Sequence, residues 1–264
     1  MSSGTGEIDG GRGQSGLLGV VAASSWRTAA LLDKRTETPT AATLLFDVPG
    51  WPGHRAGQHV DLRLTAEDGY QASRSYSIAS PPEEETVALT VERLEEGEVS
   101  PYLVDAMEPG DELELRGPVG GWFVWTSDEP APLLLIAGGS GIVPLMSMLR
   151  HRAARGVTTP TRLLASARTI DDLIYGREIA ALEAAGDGLE VLVTLTRAAP
   201  PGWDGFTRRI DREMLADVVW PPADRPSAYV CGPTSFVEAA ADTLVALDHD
   251  PARIRTERFG PTGA

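Results

Sequence analysis

Arg74-Ser75-Tyr76-Ser77 and, further along, Gly138-Gly139-Ser140-Gly141-Ile142-Val143-Pro144 are the residues of this chain whose types and spacing suit chemistry. The first run offers an arginine for a pyrophosphate, with an aromatic ring and hydroxyls beside it; a guanidinium fork matches phosphate oxygens in pairs. The second is a glycine turn between an apolar strand and a helix. Unpaired N–H groups and partial positive charge at a helix start can hold a pyrophosphate against the backbone. Pro144 suits the first helical turn, where its missing N–H costs nothing. One such element suggests a nucleotide site. Two of different kinds suggest two nucleotides brought together for redox chemistry.

Several other chemistries are disfavoured. The glycine run is neither Gly-x-Gly-x-x-Gly nor a P-loop, which would need Gly-Lys-Ser/Thr. Ser140 is outside a Gly-x-Ser-x-Gly elbow because position 142 is isoleucine. Taken alone, the turn suits a structural role as well as a nucleotide. Cys231 is the only cysteine, which excludes an internal disulfide and a cysteine-ligated iron–sulfur cluster, since that needs about four thiolates. Taken by itself it reads as a buried apolar thiol. The four histidines lack zinc-ligand spacing, so no metal site is expected. His59, at a strand position after Gly57-Gln58, reads as packing rather than proton transfer.

The elements that must position these residues follow from composition and pattern. With 264 residues and 42% hydrophobic content, the chain suits one large globular domain or two ordinary ones. The formal charge of −15 opposes nonspecific binding to nucleic acid or anionic lipid, both of which need a basic face. Lys34 is the sole lysine, so positive charge is nearly all arginine. No apolar run approaches the ~18 to 20 residues of a membrane span, and the first residues lack a signal peptide's apolar core. A cytoplasmic location is expected.

Residues 1–25 are rich in Gly and Ser and read as a disordered tail. From Trp26 short β-prone runs follow: Thr43 to Val48, Gln58 to Leu64, Ser75 to Ala79, Val87 to Val91 and Asp111 to Leu115. Pro49-Gly50, Asp68-Gly69 and Pro81-Pro82 separate them, which predicts a small antiparallel barrel over 26–127. Ser100 to Met107 reads as one helix. Asp128 to Pro132 reads as a linker, and over 132–264 the rhythm becomes strand then helix. Apolar strands Leu133 to Ala137, Arg162 to Ala165, Leu189 to Leu195 and Ala228 to Cys231 alternate with helices Pro144 to Ala154, Asp172 to Ala185, Asp211 to Val218 and Thr234 to Leu247. That alternation predicts a parallel sheet covered on both faces.

The order Arg74-x-Tyr76-Ser77, Gly97-Glu98-Val99-Ser100-Pro101, the glycine turn, then Cys231-Gly232-Pro233 resembles the ferredoxin-NADP reductase family of flavoproteins. The resemblance runs from about Trp26 to Gly263. It implies a six-stranded antiparallel barrel that binds FAD and a Rossmann-like α/β domain that binds a nicotinamide dinucleotide, with the chemistry between them. By resemblance Arg74 holds the FAD pyrophosphate with Ser75 beside it, Tyr76 packs on the flavin, and Ser77 lies near its redox nitrogen. Val91 joins the same set, and Gly97, Val99 and Ser100 form the second pyrophosphate loop. Gly139, Ser140 and Gly141 receive the dinucleotide, while Cys231, Gly232 and Pro233 line the nicotinamide pocket. Phe259, in Glu257-Arg258-Phe259-Gly260-Pro261, is the aromatic that packs by the flavin or else simply closes a last strand.

An acidic residue on the adenosine ribose favours NAD, whereas arginine suits the 2′-phosphate of NADP. Arg168 stands where an acid would favour NAD, and Arg197 and Arg209 follow it. Relatives that use NADPH carry arginines in the contexts Arg-x-x-x-Asp-Leu-x-Tyr, Ser-Arg and Gly-Arg-Ile. This chain has one extra residue before Asp172-Leu173, and Arg208 where glycine is usual. The expected cofactors are FAD and NADPH. The resemblance implies hydride transfer to FAD, then single electrons to a separate protein such as a ferredoxin, a flavodoxin or a metalloenzyme subunit. A reductase subunit for a haem or molybdenum enzyme, using NADH or NADPH, and an electron-transfer subunit without turnover of its own remain open. A monomer is expected.

Overall fold

The computed structural model describes residues 25–260. All of the expected tail but Ser25 lies outside the described residues, as do positions 261–264. Six strands form one antiparallel sheet: β1 Trp26–Thr38, β2 Ala41–Asp47, β3 His59–Thr65, β4 Gln71–Ser77, β5 Val87–Glu92 and β6 Glu112–Val119, in the order β4-β3-β6-β1-β2-β5. β1 was not visible as a separate strand in the sequence because its polar residues break the alternation. Register shifts between Leu31 and Asp33 and between Thr36 and Thr38 bend it so that it pairs with both β2 and β6. The ends of the sheet meet at β4 and β5, where a single antiparallel bridge, Ile78 to Leu89, closes the barrel. Leu31, Leu44, Phe46, Val60, Leu62 and Leu115 fill its interior.

The expected helix at Ser100 to Met107 is a five-residue π-helical turn, Tyr102–Ala106. Its Leu103, with the following Met107, belongs to the barrel core, so the segment serves as a plug and has no need of a longer helix.

The second sheet is wholly parallel: β7 Leu133–Gly138, β8 Thr161–Ala167, β9 Leu189–Leu195, β10 Ser227–Pro233 and β11 Ile254–Phe259, in the order β11-β10-β7-β8-β9. Every residue of β7 is buried, as a central strand covered on both faces requires. The helices are α1 Ile142–Ala154, α2 Gly176–Ala184, α3 Arg212–Val218 and α4 Thr234–Ala246. α2 starts later than the sequence suggests. Thr169 and Asp172 form a reciprocal capping box around a short 3-10 turn, and Tyr175 adopts a left-handed conformation, φ 61°, before the helix begins. No helix among the described residues is long and apolar enough to cross a membrane.

One apolar cluster joins the two sheets: Ala79, Ala88, Phe123 and Trp125 pack with Leu145, Met146 and Met148 of α1. Polar contacts surround it. Arg150 Nη1 donates to the Ala79 carbonyl at 2.7 Å, Ser147 Oγ donates to the Ser80 carbonyl at 2.8 Å, and His151 Nδ1 lies 2.8 Å from Glu83. A second cluster covers the opposite face of the parallel sheet with α3 and α4.

Candidate functional site

A cavity of about 700 Å³ opens at the barrel seam. Ser77 ends β4 and Thr90 lies on β5, on either side of the bridge that closes the sheet, and both line this seam cavity. So do Arg74, Ser75, Tyr76, Gly97, Val99 and Ser100. Their local roles differ. Tyr76 packs on the barrel core, and burial pushes its phenol up to about 12, which keeps it a neutral ring. The Ser75 hydroxyl donates to Asp61 at 2.7 Å, and Asp61 also holds Arg116 at 2.7 Å; that serine is therefore already partnered. Ser100 Oγ accepts the Leu94 N–H at 3.1 Å, and a Cβ on Gly97 would come within 2.9 Å of that oxygen. The second loop is thus closed on itself by its own serine.

Arg74 has a half-exposed side chain with Glu98 3.6 Å from Nη2, and Nη1 donates to the Ser73 carbonyl at 2.8 Å. Its five donors leave room for an anion. Glu98, also within 3.3 Å of the Tyr70 hydroxyl, is the charge that any anion at Arg74 would have to displace or tolerate.

A second cavity, about 440 Å³, opens at the carboxyl ends of β7, β8 and β10. Strand order reverses between β7 and β10, and such a switch point is where open parallel sheets take ligands. Gly139 and Ser140 line it from the glycine turn, Arg168 from the end of β8, Arg209 from the β9–α3 connection and Pro233 from the end of β10. Gly139 has φ +55°, a conformation that suits glycine. Gly141 is required for a different reason: a Cβ there would sit 2.2 Å from the Cys231 carbonyl oxygen. Gly138 and Gly232 are likewise pressed together beneath Phe236, which would meet a Cβ at 2.9 and 2.8 Å. Three glycines let the start of α1 and the end of β10 approach at backbone contact.

Glu92, Ser140 and Phe259 line both cavities. Two ligands seated there would meet at Phe259, the end of β11. Both volumes fall in the ~300–1,000 Å³ range of small-molecule sites.

Five of the residues singled out from the sequence stand behind the walls rather than on them. Val91 is 1% exposed in the barrel core, with Thr90 and Glu92 facing the seam cavity instead, because neighbouring strand residues point to opposite faces. Cys231 is also 1% exposed, and burial pushes its thiol well up, so it packs in the core that joins the two sheets instead of lining a pocket. Gly141 and Gly232 shape the wall from behind. Arg197 is exposed next to the lining residue Thr196, and its N–H donates to the Arg168 carbonyl at 2.9 Å, which steadies the loop that carries Arg168.

One pair of wall residues had no role in the sequence reading. Glu257 on β11 lines the seam cavity opposite His59 of β3, Oε1 to Nδ1 3.8 Å. Its Oε2 is buried without a partner, and burial lifts the carboxyl to about 7. Burial pushes His59 down against the opposing pull of Asp61. Nothing local marks this pair, since β3 and β11 belong to different sheets. Among the described residues no group of His, Cys, Asp and Glu is arranged to hold a metal ion.

Comparison with known proteins agrees with this geometry. Residues 29–124 match the oxidoreductase FAD-binding domain and residues 135–242 the oxidoreductase NAD-binding domain. Ferredoxin–NADP reductase B of Sorangium cellulosum is 35% identical over 202 residues, 75% of this chain and 78% of that protein. The glycine betaine monooxygenase reductase subunit of Chromohalobacter salexigens is 33% identical over 214 residues, 80% of this chain but 57% of that protein. The chain thus spans little more than half the length of that relative. The flavohem-like FAD/NAD-binding domain of nitric oxide dioxygenase from Vibrio cholerae superposes with a TM-score of 0.79 at 25% identity, covering 89% of this chain and 99% of that one. The wall residues of the two cavities, an arginine with an aromatic and a serine loop in one and a glycine-lined helix start in the other, fit these two ligands. This chain belongs to the ferredoxin-NADP reductase family, flavoprotein oxidoreductases that join an FAD-binding barrel to a parallel α/β domain for a pyridine nucleotide.

Proposed function

We propose that this chain takes a hydride from NADPH onto FAD and passes electrons singly to a separate acceptor protein. The observation that carries this reading is the sharing of Glu92, Ser140 and Phe259 by the two cavities, which lets two ligands meet edge to edge. Bound FAD supplies the conversion from a two-electron donor to a one-electron source. The chain's residues supply position. In this reading 26–127 is the flavin half and 132–264 the nicotinamide half. Arg74 and the Gly97–Ser100 loop take the pyrophosphate, Tyr76 packs on the flavin, and Ser77 faces its reactive edge. Gly139, Ser140 and Pro233 receive the dinucleotide, and Phe259 closes the junction.

Arg168 and Arg209 on the switch-point cavity support NADPH over NADH, since each offers a cation to a 2′-phosphate. We place the acceptor among ferredoxins, flavodoxins and the oxidising components of metalloenzymes; the reductase subunit of glycine betaine monooxygenase among the relatives favours the last. A cytoplasmic monomer completes the proposal.

Anaerobic titration tests it. The purified chain should be yellow, or become so on adding FAD, and should bleach on adding NADPH. A colourless protein that takes up no FAD, or a flavin that NADPH leaves oxidised, refutes the reading.

A further inference from the structure

The seam cavity's wall at β5 ends a chain of hydroxyl groups that no motif announces. Thr43 stands directly opposite Thr90 in the β2–β5 ladder. Thr43 Oγ1 donates to Glu37 Oε1 at 2.7 Å, and the two threonine hydroxyls are 2.7 Å apart. From the segment just before α2, the Tyr175 hydroxyl donates to Thr90 Oγ1. Tyr175 is buried, with the Arg150 guanidinium 4.8 Å from its ring centroid. Burial lifts its phenol to about 12, so it keeps the proton it donates. Thr90 is 5% exposed and lines the seam cavity. Glu37 lines neither cavity.

The direction of this chain follows from counting protons. Each hydroxyl has one proton and two lone pairs, and a carboxylate can only accept. The Thr43 proton therefore goes to Glu37, and Thr43 has none for Thr90. Thr90 must then donate to Thr43, while Tyr175 donates to Thr90. Read from end to end, donation runs Tyr175 to Thr90 to Thr43 to Glu37. Thr90 is left with no free proton and one unused lone pair.

We propose that this chain presents Thr90 to the flavin cavity as an acceptor only, which makes Glu37, remote from the wall, a positioning residue for flavin recognition. The inference rests on FAD occupying the seam cavity. A flavin carries donors, its imide N–H and ribityl hydroxyls, as well as acceptors in its carbonyl oxygens and ring nitrogens. An acceptor-only wall pairs with the first kind and repels the second. Because the first link comes from Tyr175, the same chain ties the recognition group to the loop that carries Arg168.

The test measures FAD affinity by fluorescence, together with the visible flavin spectrum, on the full chain stripped of flavin and reloaded. Wild type comes first: failure to bind FAD there refutes the functional reading, separately from the hydrogen-bond chain. Thr43→Val removes the acceptor for Thr90 and frees its proton toward the cavity. Glu37→Gln introduces an amide that can donate to Thr43 and reverse the chain. Both should weaken FAD binding roughly five- to tenfold, the factor of one hydrogen bond, and shift the flavin band. Thr43→Ser keeps the hydroxyl and should restore both readouts. Tyr175→Phe leaves the donation from Thr90 to Thr43 intact, so it should retain the wild-type band. If Thr43→Val fails to fold, the near-isosteric Glu37→Gln decides alone. Folded Glu37→Gln protein with wild-type FAD affinity and spectrum overturns the proposal. So does Thr43→Ser protein as impaired as the valine variant.

Discussion

At the seam between β4 and β5 the cavity wall is made of side chains, notably Arg74, Tyr76, Thr90 and Ser100, each held by a hydrogen-bond partner or by the barrel core. At the switch point between β7 and β10 the decisive atoms are backbone, pressed together where Gly138, Gly141 and Gly232 admit no Cβ. A barrel seam has run out of ladder partners, so it offers side chains from two strand ends. A parallel sheet instead gathers strand ends and a helix start at one edge, where N–H groups already point outward. The first kind of site can be adjusted residue by residue. The second tolerates almost no change at its glycines and is tuned from its rim.

This contrast can be broken most sharply at Gly141. Gly141→Ala places a methyl 2.2 Å from the Cys231 carbonyl oxygen and 2.4 Å from its carbon, backbone that cannot step aside. We expect a loss above about 4 kcal/mol in denaturant unfolding, with the switch-point cavity deformed. A variant as stable as wild type would show that α1 and β10 can separate, and that the backbone account is wrong.

The next largest effect concerns the seam. Glu257 has its carboxyl raised from 4.5 to about 7 by burial, so the folded state holds that proton more tightly than the unfolded chain. The associated stability is complete below pH 4.5 and is lost as pH rises to about 7. The upper bound is roughly 3 kcal/mol. In flavin-free protein Glu257→Gln should therefore gain on wild type across that interval and level off above it. A difference independent of pH would mean that Glu257 is solvated.

Binding measurements sharpen the rest. Arg74→Ala should weaken FAD by roughly ten- to a hundredfold, the range for a hydrogen bond to a charged group, whereas Glu98→Gln should tighten it by removing the anion 3.6 Å from Arg74. If Glu98→Gln weakens FAD instead, Glu98 orients the arginine rather than competing for it. At the rim of the other cavity, Arg168→Ala should lower kcat/KM for NADPH about tenfold with little change for NADH. Arg197→Ala should change both less than threefold, because its side chain stands off the wall. Equal losses with the two nucleotides would remove the 2′-phosphate from the account.

Much of this architecture was legible in the sequence. Leu133 to Ala137 is too continuously apolar for anything but a central buried strand, and the glycine turn with Pro144 marks the helix that follows it. Arg74, Tyr76 and Ser77 were readable from the order of motifs that carries the family resemblance, and all three line the seam cavity. The register of Val91 against Thr90 was not. A single residue along a strand decides whether a side chain enters the core or the cavity, and both residues suit a β-strand. For Cys231 too the strand end was visible in the sequence, but not that its thiol turns into the core that joins the two sheets. The helix expected from Asp172 to Ala185 failed in its first turn because Thr169 and Asp172 cap a shorter one.

The sequence by itself determined the two classes of element, their order and the motifs for two nucleotides, since propensity, periodicity and turn chemistry act over a few neighbouring residues. Only the tertiary structure decided that β11 sets Glu257 against His59 of β3, that Tyr175 reaches Thr90, and that Glu92, Ser140 and Phe259 belong to both cavities. Those contacts and shared walls bring together residues far apart in the sequence, from the barrel and from the α/β part. Their positions depend on how two folded units pack, which local sequence does not encode.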